Sequence, residues 1–337
     1  MIITVTLNPA IDKTLFTDKI ILHSTHKLLP AITQAGGKGI NVSMVLKSLG
    51  IKNSELLTTG FVAGNNGDYI KRSLELSDLP ASFVEIDGET RTNLKLIEAD
   101  GALTEFNEIG PTPSTSDLDI LFDKLKSYAN ENTIFIFSGS LPGTLQPDFL
   151  ENWFGELKNA GATIFFDASG SALIKGCFSS TSSRPDFIKP NVTELINALK
   201  LYKPNIYSDA EWNKLSDMGD NLSIDMVKEL ITFIPVKEIL VSRGAQGALL
   251  AIKDLETPAD KVQYYFCDSH KNLSIQSTVG AGDSMVAAYA LAKQKKLPYD
   301  EALRFCVAVS AATVETKGTT PPDMEAIIKY YPGATEF

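Results

Sequence analysis

The runs Ile134-Phe135-Ile136-Phe137, Thr163-Ile164-Phe165-Phe166-Asp167 and Ile239-Leu240-Val241-Ser242 are apolar almost without a break. A strand with one wet face alternates apolar and polar residues. A strand apolar at successive positions is buried on both faces. Helical stretches punctuate these runs. Asp117 to Ala129 feeds the first, and Pro147 to Asn159 the second after a stop at Gly161, while Val192 to Lys200 and Tyr299 to Glu315 continue the alternation. Strands alternating with helices predict a parallel sheet covered on both sides, an α/β architecture. At 337 residues the chain is long enough to bury such a core.

The alternation breaks in two places. Leu15 to Ile32 carries apolar doublets, Ile20-Ile21 and Leu28-Leu29, without helical spacing, and reads as short strands outside the main alternation. From Ser82 onward, Phe83-Val84-Glu85-Ile86, Thr92 to Glu98 and Ala102 to Phe106 are β-type runs. Asp87-Gly88 and Asp100-Gly101 punctuate them as hairpin turns. These runs predict a small antiparallel sheet inserted in the chain. Tyr202 to Leu222, polar and mostly acidic around Trp212, reads as a surface excursion rather than a domain.

Composition excludes several classes. A net charge of −10 argues against a clustered positive surface for nucleic acid or anionic membrane, so an anionic ligand has to be gathered by a few local cations. Cys177, Cys267 and Cys306 lie far apart and without Cys-x-x-Cys spacing, which predicts reduced thiols rather than a zinc site or disulfide framework. His23, His26 and His270 form no metal-ligand pair with carboxylate or cysteine partners. The N-terminal Met1 to Leu7 reads as a first strand, and no apolar run approaches bilayer length. A soluble cytoplasmic protein is expected.

Three polar stretches stand at strand ends or helix starts. Ser277-Thr278-Val279-Gly280-Ala281-Gly282-Asp283-Ser284 has almost no side chain over the backbone where an apolar, small-residue helix begins. Exposed N–H groups there, with the positive end of the helix dipole, suit an anion such as a phosphate. Phosphate would repel Asp283, so that carboxylate needs a task of its own, and taking the proton of an attacking hydroxyl is one. A plain turn with an early helix carboxylate is the blander reading. The stretch is neither a dinucleotide fingerprint, since Met285 stands where a third small residue belongs, nor a P-loop. In Ala35-Gly36-Gly37-Lys38-Gly39-Ile40-Asn41-Val42, glycines surround a lysine at a helix start, which lets a ligand reach the backbone beside one cation. Asn8-Pro9-Ala10-Ile11-Asp12 reads as a polar turn at the ligand-binding edge of the sheet, with Asp12 either solvating the loop or holding a hydroxyl.

Together these motifs resemble the ribokinase-like (PfkB) family of carbohydrate kinases, over essentially the whole chain. Residues 35–42 look like its N-terminal signature and 278–283 like its C-terminal one. The resemblance implies a single three-layer α/β/α domain over 1–337, with a mostly parallel central sheet. A small antiparallel β lid would be formed by about 13–33 and 82–107, and would be a possible homodimer contact. It implies Asp283 as catalytic base and Gly280, Ala281 and Gly282 as the anion hole. Asp12, Gly36, Gly37, Lys38 and Asn41 would hold the sugar. Asn191, Ser242, Gly244, Gly247 and Thr278, with Gly280 and Gly282, would lie along ATP, and Glu194 of Asn191-Val192-Thr193-Glu194 near Mg²⁺, through water.

Within that family the chain is most similar to the hexose-phosphate branch. Gly88-Glu89-Thr90-Arg91-Thr92-Asn93-Leu94-Lys95-Leu96 offers lid cations that a neutral sugar would not need, and Ser138-Gly139-Ser140-Leu141-Pro142 resembles that branch's loop, which implies Arg91, Asn93, Ser138 and Gly139 as substrate-binding residues. Ser277 departs from the aspartate common among relatives. The expected activity is transfer of a phosphoryl group from ATP to the C6 hydroxyl of fructose 1-phosphate. Tagatose 6-phosphate is the alternative acceptor, and a catalytically silent sugar-phosphate sensor the alternative class. Partners would be small molecules, with no nucleic acid and no membrane.

Overall fold

The computed structural model describes residues 1–28, 31–255 and 261–336; Leu29 of the doublet read as strand lies outside them. The apolar runs at 134–137, 163–167 and 239–242 form strands with the expected two-sided burial, the Ile20-Ile21 doublet forms none, and thirteen strands are described in all. In chain order these are β1 (Ile2–Thr6), β2 (Ala10–Thr17), β3 (Ile32–Gly36), β4 (Leu56–Val62), β5 (Val84–Glu85), β6 (Thr92–Glu98) and β7 (Leu103–Asn107), followed by β8 (Ile134–Ser138), β9 (Thr163–Asp167), β10 (Phe187–Ile188), β11 (Glu238–Ser242), β12 (Ala248–Lys253) and β13 (Val262–Cys267). Nine make one sheet in the order β13-β12-β11-β10-β9-β8-β1-β4-β5. The seven strands from β11 to β5 run parallel, and β12 and β13 add an antiparallel edge.

Successive side chains of a strand point to opposite faces, and the core divides accordingly. Ile3, Val5, Phe135, Phe137, Ile164 and Phe166 join one buried cluster with the helices Thr115–Tyr128, Phe149–Asn159 and Val192–Tyr202. Ile2, Ile134, Ile136 and Phe165 join the other, with the helices Lys38–Ser48, Ala281–Gln294 and Tyr299–Val314. The result is three layers, helix on sheet on helix. Ala287, Ala288, Ala290 and Ala292 are fully buried, so the helix starting at Ala281 packs with little side chain between it and its neighbours.

Several readings change. The small sheet has the order β3-β2-β6-β7, and its central pair β2/β6 is parallel, flanked by antiparallel β3 and β7. Connectivity is the cause: β2 follows β1 and β6 follows β5, so both leave the same edge of the parallel sheet in the same direction. Val84–Glu85, expected in the small sheet, instead pairs with β4 at the edge of the large one. Asp12 accordingly lies within β2, not in a turn. The acidic stretch is also more than an excursion. Its helix Asp209–Met218 buries Trp212 completely in the core, with the indole N–H donating to the Pro204 carbonyl at 2.9 Å. Among the described residues no helix is long and apolar enough to cross a membrane.

Candidate active site

A cavity of about 1000 Å³ opens over the C-terminal edge of the large sheet, the edge where parallel sheets bind ligands. Asp12, Gly37, Lys38, Asn41, Arg91 and Asn93 line one end. Asn191, Glu194, Ser242, Gly244, Gly247 and Thr278 line the other, and Gly280 to Asp283 lie between. The ends are set by the sheet: β11 stands four strands from β1, about 19 Å at the usual strand spacing.

At the centre, Gly280 is left-handed (φ 83°) and caps the helix Ala281–Gln294 without a side-chain hydrogen bond. A left-handed residue is costly with a side chain, which accounts for glycine here. The first N–H groups of any helix lack intrahelical partners, and here no side chain takes their place. A side chain on Gly282 would begin 3.0 Å from the Lys189 ammonium. The bare backbone thus keeps a cation and open amides side by side.

Asp283 is buried, and Asn41 Nδ2 donates to its Oδ2 at 2.7 Å. Burial lifts its carboxyl from 3.8 to about 6, and the nearby Asp167 charge adds to this, against the opposing pull of Lys38, the Asn41 bond and Lys189. Asp283 therefore ionises close to neutrality, as a group that takes and returns a proton needs to. Lys38 reaches Asp167 Oδ2 at 3.4 Å, and that charge holds its ammonium well above the usual lysine range.

The other expected residues separate. Asp12 accepts from Asn93 Nδ2 at 2.9 Å and pairs with Lys95 at 3.3 Å, so Lys95 serves Asp12 and is not a loose surface charge. Arg91 donates to the backbone carbonyls of Asn8 and Glu108, which fixes its guanidinium at the cavity wall. Gly36 does not line the cavity; it closes β3 directly against the Asp12 carboxylate. Nor do Ser138 and Gly139, which turn instead to Asp167: Ser138 Oγ donates to its Oδ2 and the Gly139 N–H to its main-chain carbonyl, each at 2.9 Å.

Asn191 and Glu194 form a capping box for the helix Val192–Tyr202. Asn191 Oδ1 accepts from the Glu194 N–H at 2.7 Å, and Glu194 Oε2 accepts from the Asn191 N–H at 2.9 Å. Ser242 ends β11, and Gly244 and Gly247 take positive φ in the turn to β12.

Asp167 and Lys189 were missed in the sequence as site residues. The available signal was a charged residue directly after an apolar parallel strand, where the chain emerges at the ligand edge: Asp167 ends β9 and Lys189 follows β10.

The model of the pfkB family carbohydrate kinase matches residues 6–327. The chain belongs to that family. It is 32% identical over 314 residues to the 1-phosphofructokinase of Bacillus subtilis, covering 93% of this chain and 92% of the relative. It is 30% identical over 290 residues to a tagatose-6-phosphate kinase of Staphylococcus epidermidis, covering 86% and 84%. The crystal structure of phosphofructokinase-2 from Escherichia coli in complex with substrates and products superposes with a TM-score of 0.80 at 25% identity, covering 99% of both chains. The three-layer fold is thus that of the ribokinase-like kinases, and the chain is a carbohydrate kinase.

Proposed function

We propose that this kinase transfers the γ-phosphoryl group of ATP to the C6 hydroxyl of fructose 1-phosphate, giving fructose 1,6-bisphosphate. The observation that carries the reading is Asp283, a buried carboxylate shifted to about 6, beside an uncapped helix start in a cavity with Lys38 and Arg91 at one end and Lys189 next to that helix start. Asp283 takes the hydroxyl proton as the attack develops, and Asn41 holds its carboxylate in place. The open amides of Gly280 and Gly282 and the Lys189 ammonium offset charge on the group in transit, while the Ala281 N–H makes a long 3.4 Å bond to the Thr278 carbonyl. Lys38 and Arg91 hold the acceptor's own phosphate by charge-assisted bonds, while Asp12 and Asn93, with Gly36 behind them, orient its hydroxyls. Asn191, Ser242, Gly244, Gly247 and Thr278 lie along the nucleotide.

The residues present fit a Mg²⁺ carried in with the phosphates. Glu194 stands on the nucleotide wall with Oε2 occupied by the Asn191 amide, so it would hold the ion through water, consistent with the way Mg²⁺ keeps its waters. Bound there, Mg²⁺ would offset phosphate charge. The small sheet acts as a lid that excludes competing water. It also exposes Ile32, Leu103 and Phe106, which we assign to contact with a second copy, checked by light scattering.

The acceptor is tested with ATP and a panel of free and phosphorylated ketohexoses, reading ADP release. Fructose 1-phosphate is expected to give the highest kcat/KM. A higher value for tagatose 6-phosphate moves the assignment to that sugar. No ADP release with any acceptor leaves a sugar-phosphate sensor.

A further inference from the structure

We propose that Asp167, which does not line the cavity, is the positioning residue on which the acceptor and donor ends of the site both depend. The proposal rests on the phosphoryl-transfer reading given above.

Asp167 is 2% exposed, yet two ammonium groups converge on its carboxylate: Lys38 at 3.4 Å and Lys189 at 3.8 Å. Lys38 rises from the turn after β3 into the acceptor end of the cavity, and Lys189 lies against Gly282, where the transferring group would sit. Two cations in one partly dry pocket repel each other unless an anion stands between them. Asp167 is that anion. The 3.8 Å separation from Lys189 is an ion pair without a hydrogen bond, and Asp167 Oδ1 has no hydrogen-bond partner among the described residues. Lys189 is thus held by charge while its N–H donors remain available to a ligand.

The end of β8 is clipped to this residue, itself the last of β9. Ser138 Oγ donates to the Asp167 carboxylate, and the Gly139 N–H to its main-chain carbonyl. These contacts give the Ser138-Gly139 motif a task that requires no contact with sugar. Burial alone would raise the Asp167 carboxyl, but Lys38, Lys189 and the Ser138 bond outweigh it and keep the group ionised.

The pH dependence separates this role from simple packing. The groups that act on Asp283 are Asp167 on β9, Lys38 and Asn41 on the helix starting at Lys38, and Lys189 after β10, while Glu194 acts on Lys38 from the helix Val192–Tyr202. Asp167→Asn removes the one negative charge in the set that opposes ionisation of Asp283.

The test uses the full chain. Binding of a non-transferable ATP analogue and of fructose 1-phosphate is measured separately, alongside the pH profile of kcat/KM. Asp167→Asn is expected to weaken both ligands by roughly ten- to hundredfold, the range for hydrogen bonds to charged groups, and to move the acid limb to lower pH. Ser138→Ala is expected to weaken both ligands together, by less, and carries the test if Asp167→Asn does not fold. A loss confined to one ligand in either variant, or an acid limb that stays in place in Asp167→Asn, overturns the proposal. Failure of the kinase reading would appear instead in the wild-type protein, as no turnover of any sugar phosphate, and the ATP-analogue measurement would still read the part played by Asp167.

Discussion

Two helices start at the same cavity and treat their backbone donors in opposite ways. At Val192–Tyr202 the Asn191 and Glu194 side chains satisfy the start reciprocally. At Ala281–Gln294 the cap is Gly280 and no side chain bonds the first turn. The dipole is the same at both, so charge alone does not separate them. What differs is whether the N–H groups are already occupied. An occupied start stabilises the protein, whereas an open one is available to a ligand. The comparison also recasts the Asn-x-x-Glu motif: its spacing is first of all that of a cap, and any service to Mg²⁺ is an additional use of a carboxylate held there for structural reasons.

The strongest test of the open start is Asp283→Asn. It is expected to lower kcat by about 10²- to 10⁴-fold, the range for a general base, with little change in KM. Near-full turnover would remove Asp283 from that role. Its effect on stability has the opposite sign. The folded carboxyl titrates at about 6 against a usual 3.8, so the stability this one group contributes is fully present below 3.8 and is lost as pH rises through 6. The thermal midpoint of the variant should therefore exceed that of wild type at pH 8, and the gap should close on acidification. For the same reason wild-type kcat/KM should fall as pH drops through about 6.

Gly282→Ala comes next. The new methyl would meet the Lys189 ammonium at 3.0 Å, and a loss of roughly tenfold to hundredfold in kcat is expected, somewhat below that for deleting an oxyanion donor. Unchanged kcat would mean that the reaction does not need the bare approach to the Lys189 ammonium at this helix start. Lys38→Ala and Arg91→Ala are expected to raise the acceptor KM by roughly tenfold each, consistent with lost charge-assisted bonds, with ATP KM moving less for Arg91→Ala. If both leave the acceptor KM untouched, the phosphate subsite lies elsewhere. Smallest is Asn191→Ala, which removes a cap and should cost about 1 kcal/mol in denaturant unfolding, with kcat changing far less than in Gly282→Ala. A collapse of kcat at unaltered stability would reverse the contrast between the two starts.

Local pattern in the sequence was enough to give the layers and the motifs. Two-sided burial of runs such as Ile134 to Phe137 dictates a covered parallel sheet, because no other arrangement hides both faces. The glycine clusters around Lys38 and Asp283 mark backbone that a ligand approaches, because missing side chains serve little else at a helix start. Whatever depended on which strand ends are neighbours was hidden. Asp167, Lys38 and Lys189 are far apart in the chain and meet only because β9 and β10 lie side by side and the helix Lys38–Ser48 starts close to their ends. The parallel pairing of β2 with β6 follows from the edge both leave, and a hairpin-like pattern in the sequence does not record that edge. Trp212 sits in a polar, acidic stretch and is nevertheless fully buried, because the face its helix turns inward is set by the core and not by mean polarity. Sequence alone therefore determined the fold class and the two glycine-rich helix starts, through local periodicity and backbone freedom. Tertiary structure alone decided which charges share a pocket, because electrostatic coupling depends on distance in space and on the exclusion of water.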